Sequence, residues 1–215
     1  MPQLSFSFAL PTIFSADNFF ISDCNRVAYQ TVMKPENWQS HALYLYGEKG
    51  SGKSHLANIW ARENAAEIIS KSDIKPEAIN KNCVMEDVET CSDEAALFHL
   101  FNHCKDIGVK LLLTSSYEPS ALPFKLPDLT SRLRSCALAS INPPDDRLLA
   151  LVMRKQFSDK QLLVDDEVVD YLTPRIERSF ASIKNLVEKI DTHALAERKN
   201  ISIPFVRKLL ESQQS

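Results

Sequence analysis

Apolar residues follow two kinds of spacing along this chain, and the change from one to the other divides it. Through residue 142, short apolar runs alternate with stretches in which apolar residues recur every three or four positions, the pattern of strands alternating with helices. The runs are residues 42–46, 67–70, 82–87, 109–113 and 136–141. One helical stretch runs to about Met33 from a cap at Ser22 or Asp23, and another covers residues 54–63 with Leu56, Ile59 and Trp60 on one face. A third runs from a cap at Ser92 to about Ile107, with Leu97, Leu100 and Phe101 inward and Gly108 as its stop, and a short one spans about 128–133. Short continuous apolar runs suit parallel strands buried on both faces, so the predicted fold class is α/β, a parallel sheet flanked by helices. After Pro143-Pro144 the spacing is helical throughout, over about 145–157, 165–172, 179–198 and 204–211, with Pro204 at a first helical position. The expected organisation is an N-terminal segment 1–10, an α/β core 11–142 and an all-helical unit 143–215.

Glycine use sharpens this picture. The chain has four glycines in 215 residues, and three of them, Gly47, Gly50 and Gly52, fall within six positions. They belong to Gly47-Glu48-Lys49-Gly50-Ser51-Gly52-Lys53-Ser54, which satisfies G-x-x-x-x-G-K-[ST] between a buried run and a helical stretch. In such a loop successive backbone N–H groups point inward and form an anion nest at a helix N-terminus. Lys53 is expected to reach the β- and γ-phosphates of a nucleotide and Ser54 to ligate Mg²⁺, so ADP or ATP with Mg²⁺ is the expected cofactor. An α/β P-loop core followed by a small helical lid is the layout of AAA+ proteins.

Composition narrows the function. A net charge of −3 and the lack of a long basic run exclude tight direct DNA binding through an electrostatic footprint. The five cysteines are odd in number and never spaced C-x-x-C, which suits reduced thiols better than disulfides or a zinc site. His99, His103 and Cys104 share one predicted helix without a further ligand cluster and read as an amphipathic surface. No run approaches the ~20 apolar residues of a membrane span, and the N-terminus lacks a charged signal-peptide region, so a cytoplasmic protein with no membrane partner is expected.

The run at 82–87 ends in Glu86 and Asp87. A strand ending beside a P-loop places its first acid near Mg²⁺ and its second where it can orient or deprotonate an attacking water. Glu86 is therefore a candidate Mg²⁺ contact and Asp87 a candidate catalytic residue; the alternative is a solvated acidic loop that includes Glu89. The order Glu-Asp reverses the usual Asp-Glu and counts against hydrolysis by this chain itself. Thr114-Ser115-Ser116 close the next run, and Ser116 is a candidate γ-phosphate contact. Arg132 and Arg134 lie just beyond the short helix at 128–133, where they read either as cations suited to a helix C-terminus or as a finger for a neighbour's nucleotide. The residues alone favour the first reading.

Taken together, Leu126-Pro127-Asp128-Leu129 with Ser131-Arg132-Leu133, the lead-in Phe14-Ser15-Ala16-Asp17-Asn18-Phe19-Phe20 and the ending Ile203-Pro204-Phe205-Val206 resemble the Hda family. These are regulatory inactivators homologous to the AAA+ region of the replication initiator DnaA, and the resemblance covers nearly the whole chain. It implies a nucleotide-bound core, often holding ADP, in a protein that joins the DNA-loaded β sliding clamp of DNA polymerase III to DnaA so that DnaA hydrolyses its ATP. DNA is then met only through the clamp. The resemblance also implies that Arg132 is an arginine finger acting in trans, and that Phe19, Phe20 or Ile21 lines an adenine pocket. Gln3-Leu4-Ser5-Phe6-Ser7-Phe8 is similar to the family's clamp-binding peptide, with Gln3 fixing register and Leu4, Phe6 and Phe8 as anchors. By itself the hexapeptide reads equally as a first strand or a frayed end.

Two departures qualify the resemblance. Ala181 stands where relatives carry a second nucleotide-sensing arginine, with Arg178 three residues earlier. The link between the P-loop helix and the Glu86 strand leaves little room for the paired helices with which initiators grip single-stranded DNA, and no DNA-reading domain follows residue 215. The expectation is a regulator and not an initiator. Two other classes compete: an autonomous AAA+ ATPase such as a helicase loader, and a passive clamp-binding module whose P-loop only stabilises the fold.

Overall fold

A computed structural model describes residues 19–197 and 199–211. The expectations for Gln3, Leu4, Phe6 and Phe8, and most of the 14–20 lead-in, lie outside the described residues. Five strands form one parallel sheet: β1 (Ala42–Tyr46), β2 (Glu67–Ile68), β3 (Cys83–Met85), β4 (Leu111–Ser115) and β5 (Ala137–Ser140), in the order β2-β3-β4-β1-β5. Around it lie α1 (Arg26–Val32), α2 (Lys53–Glu63), α3 (Glu94–Asp106) and α4 (Pro127–Arg134). α5 (Asp146–Asp159), α6 (Asp166–Leu172), α7 (Phe180–Glu197) and α8 (Ile203–Glu211) form the lid.

Alternation along β1 explains the layering. Ala42 and Tyr44 face a cluster containing Leu97, Leu100 and Phe101 of α3 and Leu129 and Leu133 of α4. Leu43 and Leu45 face Leu56, Ala57 and Trp60 of α2 and Ala28 and Val32 of α1. β1 is buried on both faces because helices cover both, which is why its sequence is continuously apolar. Its register, Ala42 opposite Leu111 and Leu43 opposite Ala137, aligns three C-terminal strand ends around the glycine-rich loop. The lid encloses its own apolar cluster, built on Leu149, Met153 and Phe157 of α5 and Ile183, Val187 and Ile190 of α7.

Several boundaries differ from the sequence reading, each for a local reason. α3 is capped by Asp93, not Ser92: the Asp93 carboxylate accepts the Ala96 N–H at 2.9 Å and places its charge at the positive helix end. α1 is capped by neither Ser22 nor Asp23 through a side chain; the Ser22 carbonyl accepts the Arg26 N–H at 2.9 Å, and Asp23 pairs with Arg26. β4 begins at Leu111 and continues through Thr114 and Ser115, two polar residues buried because their hydroxyls have backbone partners. Arg132 lies within the last turn of α4 rather than beyond its end.

Candidate nucleotide site and outward-facing arginine

The glycine-rich loop leaves β1 at Gly47 and enters α2 at Lys53. A Cβ on Gly47 would stand 2.3 Å from the Ile141 carbonyl oxygen, so the loop lies against the end of β5 at a distance that excludes any side chain. Gly52, the residue before α2, has φ +101°, in the left-handed region that favours glycine. These constraints turn the loop back over the N-terminus of α2, where the first helical N–H groups have no intrahelical partner. Ser51 is buried with its Oγ unpartnered, and the Lys53 ammonium is folded onto the loop, donating to the carbonyls of Gly47 (2.7 Å) and Glu48 (2.9 Å). Glu48, Lys49 and Ser54 are exposed, and Ser54 stands beyond Lys53 in the first turn of α2. A cradle bounded by glycine, an orphaned buried hydroxyl and a caged ammonium match the donor set a phosphate chain requires.

Burial lowers the Lys53 pKa, against the pull of Asp87, Glu89 and Glu86, which raise it. The acids after β3 therefore lie in the field of the loop lysine, but in different situations. The Glu86 carboxylate accepts from the Asn58 amide at 3.3 Å, and the same amide donates to the Ser54 carbonyl, tying the candidate Mg²⁺ residues to one another through α2. Asp87 adopts φ +49°, its N–H donates to the Thr114 hydroxyl at 3.0 Å, and its carboxylate lies 3.8 Å from Lys71 Nζ. Ser116 donates its backbone N–H to Glu89 at 2.9 Å. Burial pushes the Glu89 carboxyl up, but hydrogen bonds from the Ser116 and Glu89 backbone and from the Ser115 and Ser116 hydroxyls outweigh it and leave the pKa below the usual glutamate value. Glu89 thus joins the acidic strand end to the Ser116 turn. The sequence carried no local sign of this contact between residues 27 apart.

The lid reaches the loop through the start of α7. Phe180 donates its N–H to the Gly50 carbonyl at 3.0 Å, and its ring would lie 3.1 Å from a Cβ on Gly52. The Ser179 and Ala181 side chains would lie 3.3 and 3.4 Å from a Cβ on Gly50. Arg178 is paired with Asp146 at 2.9 Å, and Arg175 lies 3.9 Å above the Tyr171 ring while donating to the Tyr171 carbonyl at 2.7 Å. Phe19 lies beside the loop, stacked on Tyr29 at 5.6 Å and edge-on to His55 at 5.3 Å, whereas Ile21 is 46% exposed. Phe180 went unnoticed in the sequence because nothing local marks it as a neighbour of Gly50.

Arg132 occupies the opposite end of the sheet. α4 leads into β5, whose first residue, Ala137, pairs with Leu43 near the start of β1, while the loop follows the end of β1. A five-residue parallel strand spans about 15 Å, so Arg132 stands away from this chain's own phosphate loop. It is exposed, and its charge is among those that lower the pKa of His41, the residue preceding β1, where burial is the largest cause. His99, His103 and Cys104 do not converge on a site: His103 Nε2 lies 2.9 Å from the Ile79 carbonyl and the Cys104 thiol 3.6 Å from Cys83. Among the described residues no helix is long and apolar enough to cross a membrane.

A five-stranded parallel sheet with a P-loop at the end of its β1 strand, followed by a helical lid, defines an AAA+ protein. The family model for the lid domain of Hda matches residues 145–210. An uncharacterised protein of Haemophilus influenzae is 32% identical over 186 residues, 78% of this chain and 80% of that protein. Domain III of the Thermotoga maritima replication initiation protein DnaA superposes with a TM-score of 0.78 at 19% identity, over 93% of this chain and 96% of that one. AMPPCP-bound DnaA from Aquifex aeolicus gives 0.69 at 20% identity, over 86% of this chain and 66% of that longer one. The chain belongs to the Hda-type family of DnaA-related AAA+ proteins.

Proposed function

We propose that this chain is a nucleotide-holding regulator of replication initiation that acts in the cytoplasm by bringing the DNA-loaded β sliding clamp to DnaA and completing the ATPase centre of DnaA with Arg132. The observation that carries the reading is the position of Arg132: exposed, on a short rigid helix, at the end of the sheet remote from its own phosphate loop. A planar guanidinium offered there suits the nucleotide of an adjoining molecule, where such a group is worth ~10³–10⁵ in rate. The chain's own site would hold ADP or ATP through the backbone N–H groups of residues 47–54 and Lys53, with Ser54 and Glu86 toward Mg²⁺ and Ser116 near the terminal phosphate. Bound Mg²⁺ neutralises phosphate charge. Asp87, with its carboxylate beside Lys71, is poorly placed to activate water, so turnover by the chain itself is slow and the bound nucleotide serves chiefly to fix the fold for partner contact. Gln3, Leu4, Phe6 and Phe8 form the clamp-binding peptide of the N-terminal segment 1–10, ahead of the core 11–142 and lid 143–215. The test is hydrolysis of DnaA-bound ATP with and without clamp-loaded DNA, using the wild type, Arg132→Ala and a Gln3→Ala/Leu4→Ala double variant. Either variant abolishes the stimulation; full activity from both refutes the reading.

A further inference from the structure

We infer that Glu94, at the start of α3, is the positioning residue that holds α4, and with it Arg132, in register for the partner's nucleotide. This rests on the reading of Arg132 above and deepens it by naming the residue that aims the guanidinium. Among the described residues the Arg132 side chain forms no ion pair or hydrogen bond, so its direction is set by the backbone of α4. Buried Leu129 and Leu133 press that helix onto the core, but apolar burial is non-directional and fixes neither its roll nor its slide. Its C-terminal end runs through Ser135 and Cys136 into β5, which gives it one attachment to the sheet.

The second attachment comes from α3. α4 starts without a capping side chain of its own: Leu126 precedes the helix, and Pro127, its first residue, has no N–H. The backbone donors just ahead of it are taken by the half-buried Glu94, 31 and 32 residues away in sequence. Glu94 Oε2 accepts the Leu126 N–H at 2.7 Å and the Lys125 N–H at 2.9 Å, while Oε1 accepts the Lys125 N–H at 3.1 Å. A carboxylate beside the N-terminal ends of two helices is favoured by both, and hydrogen bonds to an ionised acceptor are roughly twice as strong as neutral ones. Side-chain tips stand about 5–6 Å from a helix axis, so a roll of about 10° moves a guanidinium by about 1 Å. Misplacement on that scale costs about 10²-fold in rate.

The test is single-turnover hydrolysis of ATP preloaded on DnaA, with clamp-loaded DNA, at increasing concentrations of the full chain. Glu94→Ala is expected to lower the maximal rate by about 10–100-fold and to shift the half-saturating concentration by less than about threefold. A chain that is merely destabilised is short of folded molecules and needs more protein to reach the same maximum. Glu94→Gln, which keeps one acceptor oxygen, is expected to lose less than about tenfold, again at unchanged half-saturation. Gly108→Ala, strained at the other end of α3, is expected to melt lower than wild type and to keep the wild-type rate. Amide hydrogen exchange over residues 125–134 is expected to quicken in both Glu94 variants, with exchange at the phosphate loop unchanged. Wild-type maximal rates in both Glu94 variants, an equal loss in Gly108→Ala, or unaltered exchange over 125–134 overturns the inference; inactivity of Arg132→Ala in the same assay then leaves the finger standing. Full stimulation by Arg132→Ala overturns the underlying reading as well.

Discussion

Gly47→Ala tests whether the phosphate loop is held in place by its contact with β5. The added Cβ would lie 2.3 Å from the Ile141 oxygen, 3.3 Å from the Ile141 carbonyl carbon and 3.1 Å from Ser51 Oγ. Ordinary carbon–oxygen approaches of this kind are about 3.3 Å or more, so roughly 1 Å must be found. Ile141 has little freedom to provide it: its side chain is buried and its N–H donates to the Tyr46 carbonyl at 2.8 Å, closing the β1–β5 pair. The loop must therefore move away from β5, at a cost of about 2 kcal/mol, typical of overpacking against a rigid wall. For a chain of this size the melting temperature should fall by about 4–8 °C. Displaced amides also lose their aim, so affinity for Mg²⁺-ADP should fall together with stability. Gly108→Ala is the comparison: Gly108 has φ +73° but nothing within 4 Å, so it costs about 1 kcal/mol in backbone strain and leaves nucleotide affinity unchanged. Thermal melts with calorimetric ADP titrations read both quantities. A Gly47→Ala protein that melts with wild type and binds ADP as tightly would refute the reasoning.

Four further perturbations have defined outcomes. Lys53→Met should weaken nucleotide binding by about 10–100-fold, the loss of one charge-assisted contact, as measured by titration calorimetry. Because burial lowers the Lys53 pKa, the unfolded chain retains the proton where the folded site has released it; stability of the nucleotide-free protein should rise with pH between the lowered value and the ordinary lysine value, while nucleotide affinity falls over the same interval. Thr114→Val leaves the Asp87 N–H without its buried acceptor and should cost about 1–3 kcal/mol by denaturant unfolding. The Glu89 pKa is lowered, so its contribution is complete above the ordinary glutamate value and is lost as pH falls through the folded value; Glu89→Gln should flatten that acid limb of the melting profile.

The parts of this molecule legible in its sequence are those whose determinants are contiguous. The phosphate loop is eight successive residues, and β1 announces itself because helices on both sides demand an unbroken apolar run. Contacts between distant segments had no such mark. Phe180 meets Gly50 across 130 residues, and Glu89 meets the Ser116 amide across 27. Asp87 turns into a left-handed conformation although no glycine signals the turn, because Thr114 on the neighbouring strand accepts its N–H. Arg132 shows a third kind of limit. Its residues alone favoured a helix-end cation, and it is one, in the last turn of α4; its exposure and distance from its own loop became visible only once β5 was paired with β1. The β4 boundary was misplaced because buried Thr114 and Ser115 look like the end of a strand until their hydrogen-bond partners are known.

The measurement that bears most directly on the account is a single-turnover assay of ATP preloaded on DnaA, mixed with clamp-loaded DNA and either the wild-type chain, Arg132→Lys or Arg132→Ala. A guanidinium fork acting on the partner's nucleotide predicts that alanine removes the stimulation, a loss of ~10³ or more where the wild-type effect is that large, and that lysine, which keeps the charge but not the fork, restores little of it. Stimulation at the wild-type rate by Arg132→Ala, with the protein folded and still bound to the clamp, would contradict it.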